Sequence, residues 1–453
     1  MTPGATPDLL GIPIEFLLFG ATLLGIALFH RFTLPVALGG LLAVTLYKLL
    51  VVGFKEGAGW AGLAGHIAHE WVTLANLLGL LVGFALLSRH FEESHLPDLL
   101  PKFLPDDWKG GFVLLVLVFI LSSFLDNIAA ALIGGTIAQT VYRHRVHIGY
   151  VAAIVAASNA GGSGSVVGDT TTTMMWLAGI GPLAVLPAYI AAGTALVVCG
   201  IPAALQQQKH QPILKHERKD RPLQWPRLFI VAFILVAAIA VNIFVNTRSE
   251  AWGDRFPFLG LAVWLALLVT APIRKPDWSQ IPGALKGALF LLSLVFSASL
   301  MPVEHLPAAS WQSGLGLGFV SSVFDNIPLT ALAINQGGYD WGMLAYAVGF
   351  GGSMIWFGSS AGVAITNLFP QGRSVADWLR GGWHVSLAYV IGFFVMLAVW
   401  GWHPTPKRVD SLPGKPAASR VPEPVRWHVS QGVAALSSAS GPSGTTATAV
   451  TVR

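Results

Sequence analysis

Apolar runs of roughly twenty residues, bounded by charges or proline, recur along this chain, and runs of that length predict helices that cross a ~30 Å hydrocarbon core. They fall at 10–29, 33–53, 71–88, 149–180, 182–204, 228–247, 256–273, 281–301, 341–369 and 379–402. Two further apolar segments do not fit the pattern. Residues 111–141 are broken at their centre by Ser122-Ser123 and Asp126-Asn127, and residues 312–335 are broken in the same way. Each flank of the first is about 13–15 residues, too short to span the core alone, which predicts re-entrant hairpins. The run 149–180 is interrupted by Gly161-Gly162-Ser163-Gly164-Ser165 and Gly168-Asp169, and 341–369 by a similar set, which predicts broken helices. The expected fold is an all-α membrane protein of about ten transmembrane helices, with two re-entrant hairpins and two broken helices.

The pattern occurs twice. Ser122-Ser-Phe-Leu-Asp-Asn-Ile128 recurs as Ser321-Ser-Val-Phe-Asp-Asn-Ile327, an offset of 199. Gly161-Gly-Ser163, with Gly168 beyond it, recurs as Gly351-Gly-Ser353 with Gly358 beyond it, an offset of 190. The organisation predicted is a first half at 1–204, a basic loop at 205–227, a second half at 228–402 and a disordered tail at 403–453, rich in Ser, Pro, Gly, Ala and Thr. Five spans per half put the halves in opposite orientations, an inverted repeat. With the 205–227 loop in the cytoplasm, sixteen Lys and Arg fall inside, against four outside: Lys48, Lys55, Arg248 and Arg255. That bias is the one topology follows. It also makes the first hairpin enter from the cytoplasm and the second from the opposite side. The tail, with six basic residues, then lies outside.

Composition agrees. Hydrophobic residues make up 54% and charged residues 11%, with a mean hydropathy of +0.65. A soluble domain carries about 25% charged residues, so there is too little charge here to coat a wet surface. The basic excess sits in loops and tail as topology signals do, and nucleic acid is not an expected partner. Cys199 lies in an apolar run as a packing residue. The N-terminus lacks the positive region of a signal peptide, so the first run is expected to stay as a helix.

Non-helical backbone at membrane depth costs several kcal/mol per unpaired group unless protein or a watery cavity covers it. Here every interruption brings glycine and polar side chains. Freed carbonyls and the oxygens of Asp, Asn, Ser and Thr are hard ligands suited to Na⁺, and helix ends add their dipoles. The first candidate ion site combines Asp126, Asn127, Ser158, Asn159, Gly161, Gly162, Asp169 and Thr170. The second combines Asp325, Asn326, Gly351, Gly352, Ser359 and Ser360. The alternative is that these residues only pack the halves together; their repetition speaks against it. Asp126, Asp169 and Asp325 are the proton-coupling candidates. Asp169 is matched by Ser359 in the second half, so the first site is expected to carry more negative charge and the main proton coupling.

The run Asn159-Ala-Gly-Gly-Ser-Gly-Ser-Val-Val-Gly-Asp-Thr-Thr-Thr-Thr-Met-Met-Trp176 resembles the signature of NhaD-type Na⁺/H⁺ antiporters of the ion transporter superfamily. So do Gly349-Phe-Gly-Gly-Ser-Met-Ile-Trp-Phe-Gly-Ser-Ser-Ala-Gly-Val363 and the two Asp-Asn-Ile tips. The resemblance covers residues 10–402. It implies a scaffold plus a transport domain, elevator-type motion, a homodimer and a multi-pass place in the cell inner membrane. It also implies transported Na⁺ or Li⁺ and H⁺, with no cofactor and no enzymatic step. The superfamily includes Na⁺-coupled dicarboxylate and citrate carriers and arsenite permeases, so anion uptake is the second expectation. The first tip departs from the pattern: Ala129-Ala130-Ala131 stand where hydroxyl residues are expected.

An intramembrane aspartyl protease needs two buried Asp but also a Gly-x-Gly-Asp pattern, which is absent, and it gives the repeat no purpose. His66, His69 and Glu70 read as the polar face of an interfacial helix rather than a metal or pH site, as do His90, Glu92, Glu93 and His95. Glu15 and Lys286 are relay candidates, with snorkelling the commoner role for such a Lys. The sixteen Trp suggest interfacial belts.

Overall fold

The computed structural model describes residues 8–9, 11–29, 32–96, 104–214, 222–248 and 255–405. The centre of the basic loop and nearly all of the expected tail lie outside the described residues. The described part is helical apart from a two-residue ladder, Asp8–Leu9 with Ile12–Pro13, and one isolated bridge. Four of its helices are long and apolar enough to cross a membrane unaided: Thr33–Val52, Gly59–Glu92, Pro182–His210 and Trp278–Ser299. A fifth span results if Val375–Gly381 and Trp383–Val399, bent by 63°, count as one. Leu24, Leu42, Leu50, Leu183, Val236 and Val269 stand exposed, a surface that lipid accepts and water does not. The chain is an all-α membrane protein.

The first helices are α1 (Ile14–Leu28), α2 (Thr33–Tyr47, running into a π turn at Lys48–Val52) and α3 (Gly59–Glu92). Then come α4 (Trp108–Ser122), α5 (Asn127–Val141), α6 (Ile148–Ser163), α7 (Thr170–Leu177) and α8 (Ala188–His210). The second half runs α9 (Trp225–Arg248), α10 (Phe258–Thr270), α11 (Ile281–Ser299), α12 (Trp311–Ser321) and α13 (Asn326–Gln336). It ends with α14 (Trp341–Gly351), α15 (Ser360–Leu368), α16 (Val375–Gly381) and α17 (Trp383–Val399).

The helices pack in two groups. In one, α2 and α3 lie on α11, and α10 lies on α3 and α9. Gly79 and Gly260 let α3 and α10 touch backbone to backbone, and Asn76 Oδ1 accepts the Gly260 N–H at 2.9 Å. In the other, α8 packs on α17 and α6, α4 on α6, and α12 on α14. The post-break helices cross over between the halves: α15 packs on α5, and α7 on α13.

Three expectations change here. The third span starts at Gly59, not near 71, because His66 is not on a wet face. It is 3% exposed, with Nδ1 3.1 Å from both Glu56 carboxylate oxygens and Nε2 2.9 Å from Ser299 Oγ. His69 is exposed and Glu70 half-buried. His90 is also buried, its Nδ1 3.0 Å from Arg227 Nη1. Lys48, counted above as an outside loop charge, sits in the π turn with its Nζ 3.6 Å from Glu15 Oε1, both groups buried. Two opposite charges at membrane depth are each too costly alone and so pair. Lys286 is exposed near the start of α11.

The helix breaks rest on close backbone contacts that repeat between halves. A methyl group at Gly161 would collide with the Phe119 carbonyl, and one at Gly351 with the Gly318 carbonyl. Gly168 meets the Ser122 carbonyl and Gly358 the Ser322 carbonyl in the same manner. Gly161→Ala and Gly351→Ala are each expected to destabilise the protein by about 1–3 kcal/mol through overpacking. Gly316→Ala, which meets open space, is expected to leave the melting temperature in detergent unchanged.

Candidate functional site

Each chain interruption ends one helix and starts another, and an acidic or hydroxyl residue stands at the N-cap position of each start; all but Asp126 make a side-chain cap bond. Asp126 is the N-cap of α5, Asp169 of α7, Asp325 of α13 and Ser359 of α15. An N-cap oxygen satisfies a backbone N–H that has no partner within its helix. Asp169 Oδ1 accepts the Thr171 N–H at 3.0 Å, and Asp325 Oδ1 accepts the Ile327 N–H at 3.0 Å. Ser359 Oγ accepts the Gly362 N–H at 3.3 Å.

Carbonyls freed by the first break are met by hydroxyls from the helix that follows it. Thr172 Oγ1 donates to the Ser165 carbonyl at 2.6 Å, and Thr173 Oγ1 to the Val166 carbonyl at 2.9 Å. Ser123 and Tyr189 both donate to the Gly161 carbonyl. In the second half Ser321 donates to the Val348 carbonyl, and the Trp378 indole N–H to that of Ser353. The irregular backbone is thus covered by protein, as its depth requires.

The two candidate sites meet in one network. Asn127 Nδ2 donates to Asn159 Oδ1 at 3.0 Å and to Asp169 Oδ2 at 3.2 Å. Asn159 Nδ2 crosses to the other half and donates to Ser353 Oγ at 2.9 Å and Ser359 Oγ at 3.0 Å. Ser360 Oγ donates to Asp325 Oδ2 at 3.3 Å. Asp169 lies within electrostatic range of both Asp126 and Asp325. Asp169, Asn127 and Asn159 are buried, while Asp126, Asp325, Thr170 and Ser360 are half-buried. No Lys or Arg pairs with any of the three carboxylates among the described residues.

The halves are not equivalent at this crossing. Asn159 corresponds to Gly349 in the second half, and a methyl at Gly349 would stand 3.5 Å from Asp169 Oδ2. The missing side chain leaves room for the Asp169 carboxylate. Gly162 and Gly352 bring each helix end against the start of the next, beside Asp169 and Ser359. Ser158 stands apart, since its hydroxyl donates to the Val155 carbonyl of its own helix at 2.9 Å. Asn326 is buried at the start of α13, where its carbonyl accepts the Thr330 hydroxyl.

Ser353 was missed as a site residue, although it stands in the repeated Gly-Gly-Ser, which is the signal that marks it. Thr171 was missed too. Its buried hydroxyl lies beside the Asp169 carboxylate without reaching hydrogen-bond geometry.

Residues 19–351 match the citrate transporter family model, CitMHS. Sodium/proton antiporter 1 of Arabidopsis thaliana is 27% identical over 394 residues, covering 76% of this chain and 63% of that protein. The chain therefore spans less than two thirds of that relative. The Na⁺/H⁺ antiporter NhaD of Alkalimonas amylolytica is 26% identical over 346 residues, 65% of this chain and 68% of that one. The NhaD of Vibrio parahaemolyticus is 22% identical over 352 residues, 66% of this chain and 84% of its own.

Proposed function

The chain belongs to the citrate transporter family, and within it we propose that this protein exchanges Na⁺ for H⁺ across the membrane through the network at the helix breaks. As a member of that family it is a multi-pass secondary transporter and not an enzyme. One observation carries the exchange reading. Three carboxylates converge where four helices begin, with no cationic side chain paired to them among the described residues. A bare carboxylate in a dry site is costly, so it takes a proton or a metal cation. A site that holds either ion but not both at once couples the two flows in opposite directions. The relatives named as sodium/proton antiporters support the same reading.

A second reading has its own support. Four helix N-termini converge, and their dipoles attract anions. In a Na⁺-coupled citrate or dicarboxylate carrier the carboxylates would hold the coupling ions. The Asp caps argue against it, because they offset those dipoles and would repel an anionic cargo. The deciding test is reconstituted vesicles holding a pH-sensitive dye. Na⁺ added without any carboxylate should move protons; a signal that waits for a carboxylate would transfer the function to the second reading.

The inverted architecture belongs to the same proposal, with the halves at 1–204 and 228–402 joined by the 205–227 loop. Segments that the charge count assigns to one side meet one another. Arg89 bonds Asp277, Arg227 bonds Glu93, and the Leu214 N–H reaches the Val141 carbonyl at the base of the first hairpin. At the base of the second hairpin Gln336 bonds the Pro307 carbonyl, and the Thr405 N–H reaches Tyr339. The hairpin limbs, 15 and 15 residues then 11 and 11, reach only ~16–22 Å at 1.5 Å per residue. They turn back before crossing. Cysteines introduced at Arg143 and Gln336 are expected to react with an impermeant thiol reagent from opposite sides; labelling from one side would remove the inverted arrangement.

A further inference from the structure

We propose that a second site, built from other residues than the carboxylate network, binds the phosphate of a small free anion or of an anionic lipid headgroup. It is a cavity of about 720 Å³ at the ends of α6, α8 and α16. The turn leading into α6 supplies His144, Arg145 and His147, the end of α8 supplies Gln206 and His210, and α16 supplies Arg380. Both halves of the chain therefore form its walls.

The charge in this cavity is lopsided. Two guanidinium groups and three imidazoles face one carboxylate, Asp377. Arg145 and Arg380 are exposed and have no ion-pair partner among the described residues. Guanidinium forks match phosphate oxygens in a bidentate fashion. Gln206 also lines the cavity, with its Oε1 3.3 Å from His384 Nε2. The turn that presents His144 and Arg145 is strained, with φ of 50° at Arg143 and 62° at His144. Non-glycine residues hold such angles only where the surroundings enforce them.

The cavity is also sensitive to protons. His147 Nδ1 accepts the Gly149 N–H at 3.1 Å, and its ring stands 5.5 Å from that of His210. Burial and the neighbouring His210 hold His147 below the usual imidazole range. An anion in the cavity favours the charged form of His147, at the cost of the Gly149 bond to Nδ1, so binding tightens as pH falls. Gly149 lies against the Gly381 carbonyl, so an anion bridging Arg145 and Arg380 ties the start of α6 to α16.

The test uses the full chain, purified and delipidated in non-ionic detergent, and reads binding without any ion gradient. Its failure is therefore separate from failure of the exchange reading. Inorganic sulfate is the first probe, because it stays a dianion between pH 6 and 8. Saturable binding by calorimetry is expected, weakened about tenfold by Arg145→Gln and again by Arg380→Gln, and tighter at pH 6 than at pH 8. The second arm places the protein in phosphatidylcholine nanodiscs with or without phosphatidic acid. A rise in melting temperature with phosphatidic acid, lost in the double variant, assigns the site to lipid. Sulfate binding of equal strength in both nanodiscs assigns it to a free anion. No saturable sulfate binding together with no lipid effect overturns the proposal, as does binding that the double variant leaves unchanged.

Discussion

Asp169→Asn is expected to abolish Na⁺-driven proton movement while leaving the protein folded and inserted. Asp169 is 2% exposed and accepts from Asn127, which in turn bonds the crossing residue Asn159. Its Oδ1 caps α7 through Thr171, and an asparagine Oδ1 can keep that bond. Its Oδ2 accepts from Asn127 Nδ2, and there the variant offers a second N–H donor instead. The Asn127 amide must rotate or lose one bond, a cost of about 1 kcal/mol. That is small beside what the charge does. An amide neither takes up a proton near neutral pH nor neutralises a bound cation, so both halves of the exchange fail together. The measurement is Na⁺-induced dye dequenching in vesicles, with thermal stability and membrane insertion measured in parallel. Wild-type exchange in the variant would move the coupling to Asp126 or Asp325. Ser359→Ala, at the matching position, carries no charge to lose and is expected to weaken transport rather than abolish it.

Much of this site could be read from the chain because aspartate at membrane depth is costly and glycines clustered beside it mark interrupted backbone. The Asp-Asn-Ile tips and the Gly-Gly-Ser breaks are visible as repeated letters, and the structure interrupts its helices at those letters. The merging of the two candidate sites was not visible. A repeat says which residues correspond, but not which faces cross. Asn159 bonds Ser353 and Ser359, about 200 residues away, and its counterpart in the second half is Gly349, which has no side chain to bond with. The lesson is similar at Glu15 and Lys48. On its own Glu15 reads as a relay candidate and Lys48 as an outside loop charge, and only the packing of α1 against α2 makes them a buried pair. The spacing of His66, His69 and Glu70 predicts one wet polar face, yet His66 is buried. Its partners, Glu56 and Ser299, come from a preceding loop and a distant helix.

Asp126→Asn and Asp325→Asn decide between cation exchange and anion uptake. Both residues stand half-buried at the N-cap position of the second limb of a hairpin. They differ in commitment. Asp325 gives Oδ1 to the Ile327 N–H and Oδ2 to Ser360, whereas the Asp126 side chain makes no capping bond. If Na⁺ is the cargo, each substitution removes a ligand for which proton and cation compete. A carboxylate contact with Na⁺ in a partly dry site is worth several kcal/mol, about a hundredfold or more in affinity. Na⁺-induced dequenching in a buffer with only an impermeant counter-ion should then be robust in the wild type and lost in both variants. In Na⁺ affinity the larger fall is expected for Asp126, whose carboxylate makes fewer bonds than that of Asp325. If an anion is the cargo, the wild type gives no signal in that buffer and instead accumulates a labelled carboxylate when Na⁺ is present. The same variants would then reduce that uptake by weakening the coupling ion. A wild-type signal that needs added carboxylate would therefore overturn exchange as the function, while leaving the three aspartates as the cation ligands.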